Sequence, residues 1–139
     1  MKKSGFSLFE LLVVISIIGI IVAVGMTSYS SAQKRARDAK RKQDMQAVQK
    51  AFEQYYSANN YNYPDDQTKA RTNMPGYPPV DPKNTSSYIY EGTGDTEINA
   101  TGYCICALLE ITGTGNSSDV NCSFVSGSTG NYFCVESVQ

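Results

Sequence analysis

The chain has 139 residues, with 12 Lys and Arg against 13 Asp and Glu and neither His nor Trp. That length is one domain's worth, and the net charge of −1 gives no general signal for nucleic-acid binding. The lack of His excludes a His-based triad and a His-ligated metal centre. The sequence points to a non-enzymatic protein without a cofactor.

Lys2 and Lys3 open the chain. Gly5-Phe6-Ser7-Leu8-Phe9-Glu10 follows and runs into an uncharged, mostly apolar segment, residues 11–33. About 20 such residues cross a bilayer as a helix. A carboxylate at the membrane edge of such a segment costs a few kcal/mol unless something pairs with it, which makes Glu10 the most informative residue here. Two readings are open from the residues alone. One is a membrane-anchored helix. The other is a secretory signal peptide cut after the small residues Ser30-Ser31-Ala32. Against the second stand an apolar region longer than usual, the position of Glu10, and a run without Pro into a second helical pattern.

The stretch GFSLFELLVVISIIGIIVAVG resembles the N-terminal signature of type IV pilins and of the pseudopilins of type II secretion. That pattern is a short basic leader ending in Gly, then Phe, then Glu at the fifth position after the cut, opening a long apolar helix. The resemblance covers roughly the first 30 residues. It implies that a prepilin peptidase cuts between Gly5 and Phe6, and that the new amino group of Phe6 is N-methylated. It further implies an inner-membrane assembly platform and other pilin subunits as partners, with membrane lipid around the helix before assembly. Gly19 matches a glycine common in the family helix. Many members carry a helix-breaking Pro where this chain has Thr27. After cleavage Phe6 would bear an α-amino group with a reference pKa of about 7.7–8. Phe6 and Glu10, four apart, share a helix face. Glu10 is therefore expected to pair first with its own amine, then with a neighbour's, and so to set the register of assembly. Gly19 and Gly25 each cost roughly 1 kcal/mol of helix propensity relative to Ala; they are the expected points of helix flexibility in a filament.

Residues 33–59 lack Gly and Pro and are rich in Ala, Lys, Arg and Gln, which extends the helix to about Asn59. Such a helix from Phe6 would be some 80 Å long at about 1.5 Å per residue. At about 100° per residue two stripes emerge. Gly25, Ala32, Ala36, Ala39 and Ala47 form a small-residue stripe suited to close helix approach. Met45, Val48, Phe52, Tyr55 and Tyr56 form a large one suited to bury against a sheet. Between them lies a basic cluster: Lys34, Arg35, Arg37, Lys40, Arg41 and Lys42, with Asp38 and Asp44. Solvation and pairing with acidic residues of neighbours are its expected uses; lipid or DNA contact are lesser ones.

All five prolines fall within residues 57–87, which reads as a loop. Asp81-Pro82-Lys83-Asn84 followed by Tyr88-Ile89-Tyr90 weakly resembles a passage of major pseudopilins. Asp65 and Asp66 fall far short of a calcium ligand set, and no metal is expected. Beyond this, residues 88–91, 103–110, 122–126 and 132–137 read as β-type runs in an antiparallel meander. Cys104, Cys106, Cys122 and Cys134 all lie there, an even number suited to an extracytoplasmic compartment. Cys104 and Cys106 face one side of a strand and so bond elsewhere. Of three connectivities the nested one, Cys104–Cys134 with Cys106–Cys122, is the expectation; a redox or metal-binding C-x-C is the rival. The four sequons at Asn84, Asn99, Asn116 and Asn121 permit glycosylation without arguing for it.

The expected fold is α+β and pilin-like: one long N-terminal helix on a small antiparallel sheet of about four strands. Residues 1–5 would be the leader, 6–33 the membrane and filament-core half of the helix, and 34–59 its amphipathic half. Residues 60–87 would connect helix to sheet, and 88–139 would form the disulfide-stapled head. The expected function is that of a structural pilus subunit. It would sit first in the inner membrane with a cytoplasmic N-terminus and later in an extracellular or periplasmic filament. The alternatives are a major pseudopilin, a minor tip pilin binding DNA or surfaces, and a freely secreted protein released near Ala32.

Overall fold

A computed structural model describes residues 5–74, 76–85, 87–90 and 98–139. The chain divides into two compact units, Met1–Lys34 and Arg35–Gln139. The α-helix α1, Leu8–Ala58, is 51 residues long and contributes to both.

In the first unit α1 continues through Gly19 and Gly25. The Ser16 and Ser31 hydroxyls donate to the Val13 and Ser28 carbonyls at 2.8 and 3.0 Å. A hydroxyl that bonds back to its own helix carries no unmet polar group into an apolar surrounding. The large apolar side chains here, Leu8, Phe9, Ile20, Ile21 and Val24 among them, are exposed. This part of α1 is long and apolar enough to cross a membrane.

The second unit is built on the later turns of α1. Met45, Val48 and Phe52 recur at helical spacing and are buried, while Ala36, Ala39 and Ala47 are exposed, so the large stripe faces the core and the small one faces out. Tyr55 and Tyr56 are half-buried at the rim of the same cluster. The sheet has three strands, β1 Ile98–Asn99, β2 Gly102–Leu108 and β3 Tyr132–Glu136, antiparallel in the order β1-β2-β3. Alternation along β2 decides its two faces. Tyr103, Ile105 and Ala107 join Met45, Val48 and Phe52 in the core, whereas Cys104 and Cys106 point to the other side. Aromatic rings fill the space at the helix end. Phe52 lies 4.4 Å from Tyr103 and 5.3 Å from Tyr77 between ring centroids. Tyr63 lies 4.5 Å from Tyr56 and 5.1 Å from Tyr103.

Three expectations are corrected. The sheet has three strands among the described residues: residues 88–90 and 122–126 form no strand, and β1 lies outside all four expected runs. Within 122–126 Cys122 takes a left-handed φ of 53°, the Ser123 N–H goes to the Asp119 carboxylate and the Phe124 N–H to the Cys122 carbonyl, so pairing stops at an isolated bridge between Ser117 and Phe124. Around residues 88–91 an isolated bridge pairs Thr85 with Tyr88, while Glu91 lies outside the described residues. The segment read as a connecting loop contains a short helix, α2 Gln67–Asn73, capped by Asp66, whose side chain accepts the Lys69 N–H at 2.7 Å. The third correction is the disulfide pairing. The bonds are Cys104–Cys122 and Cys106–Cys134, interlaced instead of nested. The β2–β3 register explains it: Cys106 stands directly opposite Cys134, with Cα atoms 4.0 Å apart, whereas Cys104 stands opposite Glu136. A directly opposed pair on one face is within bridging reach, which leaves Cys104 to the loop.

Candidate functional site

Two neighbourhoods gather the charged residues that the sequence singled out. The first is the start of α1. Ser7 is the residue before the helix, and its hydroxyl accepts the Phe9 N–H at 3.3 Å, while the Glu10 carboxylate reaches back to the Ser7 N–H at 2.9 Å. This is a reciprocal capping box, in which two of the donors stranded at a helix start find partners. Composition alone gave Glu10 no local partner. The signal for one lay in the sequence as Ser7-Leu8-Phe9-Glu10, the S-x-x-E spacing ahead of an apolar run. The bond also places the carboxylate beside the backbone nitrogen next to Phe6. Gly5, Phe6 and Glu10 are exposed, as are Gly19 and Gly25 along the helix.

The second neighbourhood is an ionic cluster in the Arg35–Gln139 unit. The Arg41 side chain is 0% exposed. It donates to Asp81 through Nε and Nη2 at 2.7 and 2.9 Å, and through Nη1 to Asp38 at 2.7 Å and Glu110 at 2.9 Å. Arg37 closes the arrangement with a two-pronged contact to Glu110 at 2.6 and 2.8 Å. Asp38 also accepts the Glu110 and Ile111 N–H groups, and Asp81 those of Lys83 and Asn84. A buried charge is tolerable only when paired and hydrogen-bonded this fully. The Arg37 hydrogen bond holds the Glu110 carboxyl down at about 2, with burial pulling the other way. At Asp81 burial raises the pKa, but the Arg41 hydrogen bond and the Lys83 N–H outweigh it and the net shift is downward. Arg41 is shifted up because its three carboxylates outweigh burial. Close by, Lys42 donates to the Thr114 carbonyl at 2.7 Å, and Lys40 pairs with Asp44, which also accepts from Tyr90.

The basic cluster is thus largely spent within the subunit. Arg37, Arg41 and Lys42 tie α1 to the loop at Asp81 and to the segment after β2, where pairing with neighbours or solvation was the expectation. Net charge could not reveal this, since Asp81 and Glu110 are 40 and 69 residues from Arg41. A second carboxylate, Glu53, collects the Tyr63 and Tyr103 hydroxyls at 3.0 Å. Burial followed by that contact pushes Tyr63 up to about 12 and raises Tyr103.

All four cysteines are disulfide-bonded, so the C-x-C pair offers neither a thiolate ligand nor a free thiol. Asp66 caps α2 and Asp65 pairs with Lys69, which commits both carboxylates of the weak calcium candidate. Of the sequons, Asn116 exchanges hydrogen bonds with the Cys134 backbone, and the Asn99 side-chain oxygen accepts from Thr101 and Gly102. Both amides serve the fold.

In comparison with known proteins, the prokaryotic N-terminal methylation motif matches residues 1–26, the signal motif of type IV pilins and pseudopilins. No curated protein and no solved structure matches the chain.

Proposed function

From that motif we propose that the protein is a prepilin: a membrane-anchored precursor that becomes a structural subunit of a type IV pilus. The supporting observation is the exposed apolar start of α1, with one carboxylate at its head beside the motif's cleavage position. A prepilin peptidase would remove residues 1–5, leaving Phe6 as the N-methylated terminus. Lys2 and Lys3 would stay cytoplasmic until then, and the Arg35–Gln139 unit would lie outside the membrane. An assembly platform would then move the helix from lipid into contact with other subunits.

In the capped precursor Glu10 is already held one residue from the future amine. Before assembly it would neutralise its own subunit's amine; in the filament it would take a neighbour's. A charge left unpaired among apolar helices costs several kcal/mol, so misregistered subunits would be rejected. Gly19 and Gly25 would allow α1 to adjust among its neighbours. The two disulfides favour a pilus subunit over a secretion pseudopilin. The internal pairing of Arg37, Arg41 and Lys42 argues against a DNA-binding role.

The test uses Glu10→Ala and Glu10→Gln subunits in cells that carry the peptidase and the assembly machinery. Both should be cleaved normally, and both should lower filament yield by on the order of a hundredfold, from the several kcal/mol of an unpaired amine. Wild-type filament yield from correctly cleaved Glu10→Ala would remove the register role.

A further inference from the structure

The cysteine pairing carries an inference about how this chain matures. The native bridges join residues 18 and 28 apart, and the nested alternative would join residues 16 and 30 apart. Loop-closure probability falls roughly as the 3/2 power of length, so Cys122 in an unfolded chain meets Cys106 about 1.2-fold more often than Cys104. Chain statistics therefore lean slightly to the wrong partner. What selects the native set is the sheet: only when β2 and β3 pair does Cys106 stand opposite Cys134. Even then the two bridges lie in contact, with Cys104 Sγ 3.9 Å from Cys106 Sγ. Burial separates them. Cys106 and Cys134 are buried, whereas Cys104 and Cys122 are half-buried, the latter on a loop beside exposed Phe124.

We propose that the chain is a client of a thiol–disulfide isomerase, which engages the Cys104–Cys122 face and corrects nested pairing. Oxidation itself takes two equivalents of a disulfide oxidant. Each accepts two electrons and two protons from two cysteine thiols and leaves as two thiols. Correction is redox-neutral. The isomerase thiolate attacks Cys122 of a Cys106–Cys122 bond, forming a mixed disulfide and releasing the Cys106 thiolate. Cys106 attacks Cys134 of the Cys104–Cys134 bond, forming the native buried bridge and releasing the Cys104 thiolate. Cys104 then attacks Cys122 of the mixed disulfide, closing the native outer bridge and expelling the isomerase thiolate. Each step passes one sulfur–sulfur bond to a new thiolate. The closeness of Cys104 and Cys106 lets the freed thiolates reach both targets from one strand.

The test starts from the full chain, reduced and unfolded in guanidinium with detergent, and oxidised there by glutathione disulfide. Mass spectrometry with fragmentation between Cys104 and Cys106 reads the pairing. Nested and interlaced products should form in comparable amounts, beside a sequential product, Cys104–Cys106 with Cys122–Cys134, that is resolved from both and left out of the comparison. On transfer to detergent micelles with a trace of reduced glutathione, the nested form should convert to the interlaced one on the order of tenfold faster with a purified disulfide isomerase than without it. A second protein, with Cys104→Ala and Cys122→Ala, has one bridge to form and no mispaired isomer; given glutathione disulfide in the micelles as its two-electron oxidant, it should reach full Cys106–Cys134 closure without the enzyme. The proposal is overturned by strong dominance of interlaced pairing in the denaturant, by conversion indifferent to the isomerase, by nested pairing that persists in its presence, or by a two-cysteine protein that fails to close without the enzyme.

Discussion

Replacing Arg41 with Leu removes the guanidinium on which three carboxylates converge while keeping an apolar stem in the helix. Asp81 would lose both of its contacts to the side chain, at 2.7 and 2.9 Å, and keep only backbone donors. Asp38 would keep the Glu110 and Ile111 N–H groups, and Glu110 would keep Arg37. Removing one partner of a buried pair costs about 3–5 kcal/mol, a large share of the roughly 5–15 kcal/mol that holds a domain folded. Thermal unfolding of the full chain in detergent micelles, followed by circular dichroism, should show the midpoint lowered by roughly 12–25 °C at pH 7. Arg41→Lys, with a charge but no planar fork, should fall between the two. The pH dependence adds a second reading. The carboxyl of Glu110 is depressed from 4.5 to about 2 and that of Asp81 is depressed from 3.8, so the stability they contribute is present above those ordinary values and lost as pH falls through the folded ones. Arg37 retains much of the Glu110 effect, so the Asp81 part is what Arg41→Leu chiefly abolishes. The gap between wild type and variant should therefore narrow as pH is lowered from 5 to 2. A loss under about 1 kcal/mol at pH 7, in the range of an exposed pair, or a gap unchanged over that interval, would refute the idea that Arg41 clamps the helix to the head.

Other outcomes follow from single contacts. Ser7→Ala deletes the hydroxyl half of the capping box, which costs about 1 kcal/mol; hydrogen exchange at Phe9 in micelles should speed up by roughly fivefold, and an unchanged rate would show that the cap contributes nothing. Gly115 lies where an added Cβ would sit 2.0 Å from the Tyr132 carbonyl oxygen, so Gly115→Ala must force two backbone segments apart. A stability loss above about 2 kcal/mol is expected from such a clash, and a neutral result would mean that the backbone bridge between Gly115 and Gly130 yields easily.

Much of this fold was legible because local pattern and tertiary role coincide. The helix from Phe6 to about Asn59 was plain from an apolar run followed by Ala, Lys and Gln without a breaker, and the observed bounds are Leu8–Ala58. Met45, Val48 and Phe52 announced the buried face by spacing alone. The pairing of the cysteines was not legible, because it depends on which residues of β2 and β3 stand opposite each other, and hairpin periodicity does not fix register across a 23-residue connection between Leu108 and Tyr132. The run at residues 122–126 carried β-type residues, but the left-handed turn at Cys122 and the local bonds of the Ser123 and Phe124 N–H groups leave it only an isolated bridge to Ser117. Arg41 was hidden for a different reason. A cation amid cations reads as solvated surface, and only the fold brings Asp81 and Glu110 to it. The Ser7–Glu10 cap, by contrast, was readable and was masked by the more conspicuous question of why an acid precedes a membrane-length helix.

The central claim concerns where the mature chain begins and what surrounds that end. Filaments sheared from cells, or the membrane fraction before assembly, can be sequenced from the N-terminus and weighed intact. The account predicts a chain starting at Phe6 with one methyl group on its amine and both disulfides closed. A chain starting near Gln33 in the culture fluid would contradict it, since that product has lost Glu10 and the helix through which subunits would meet.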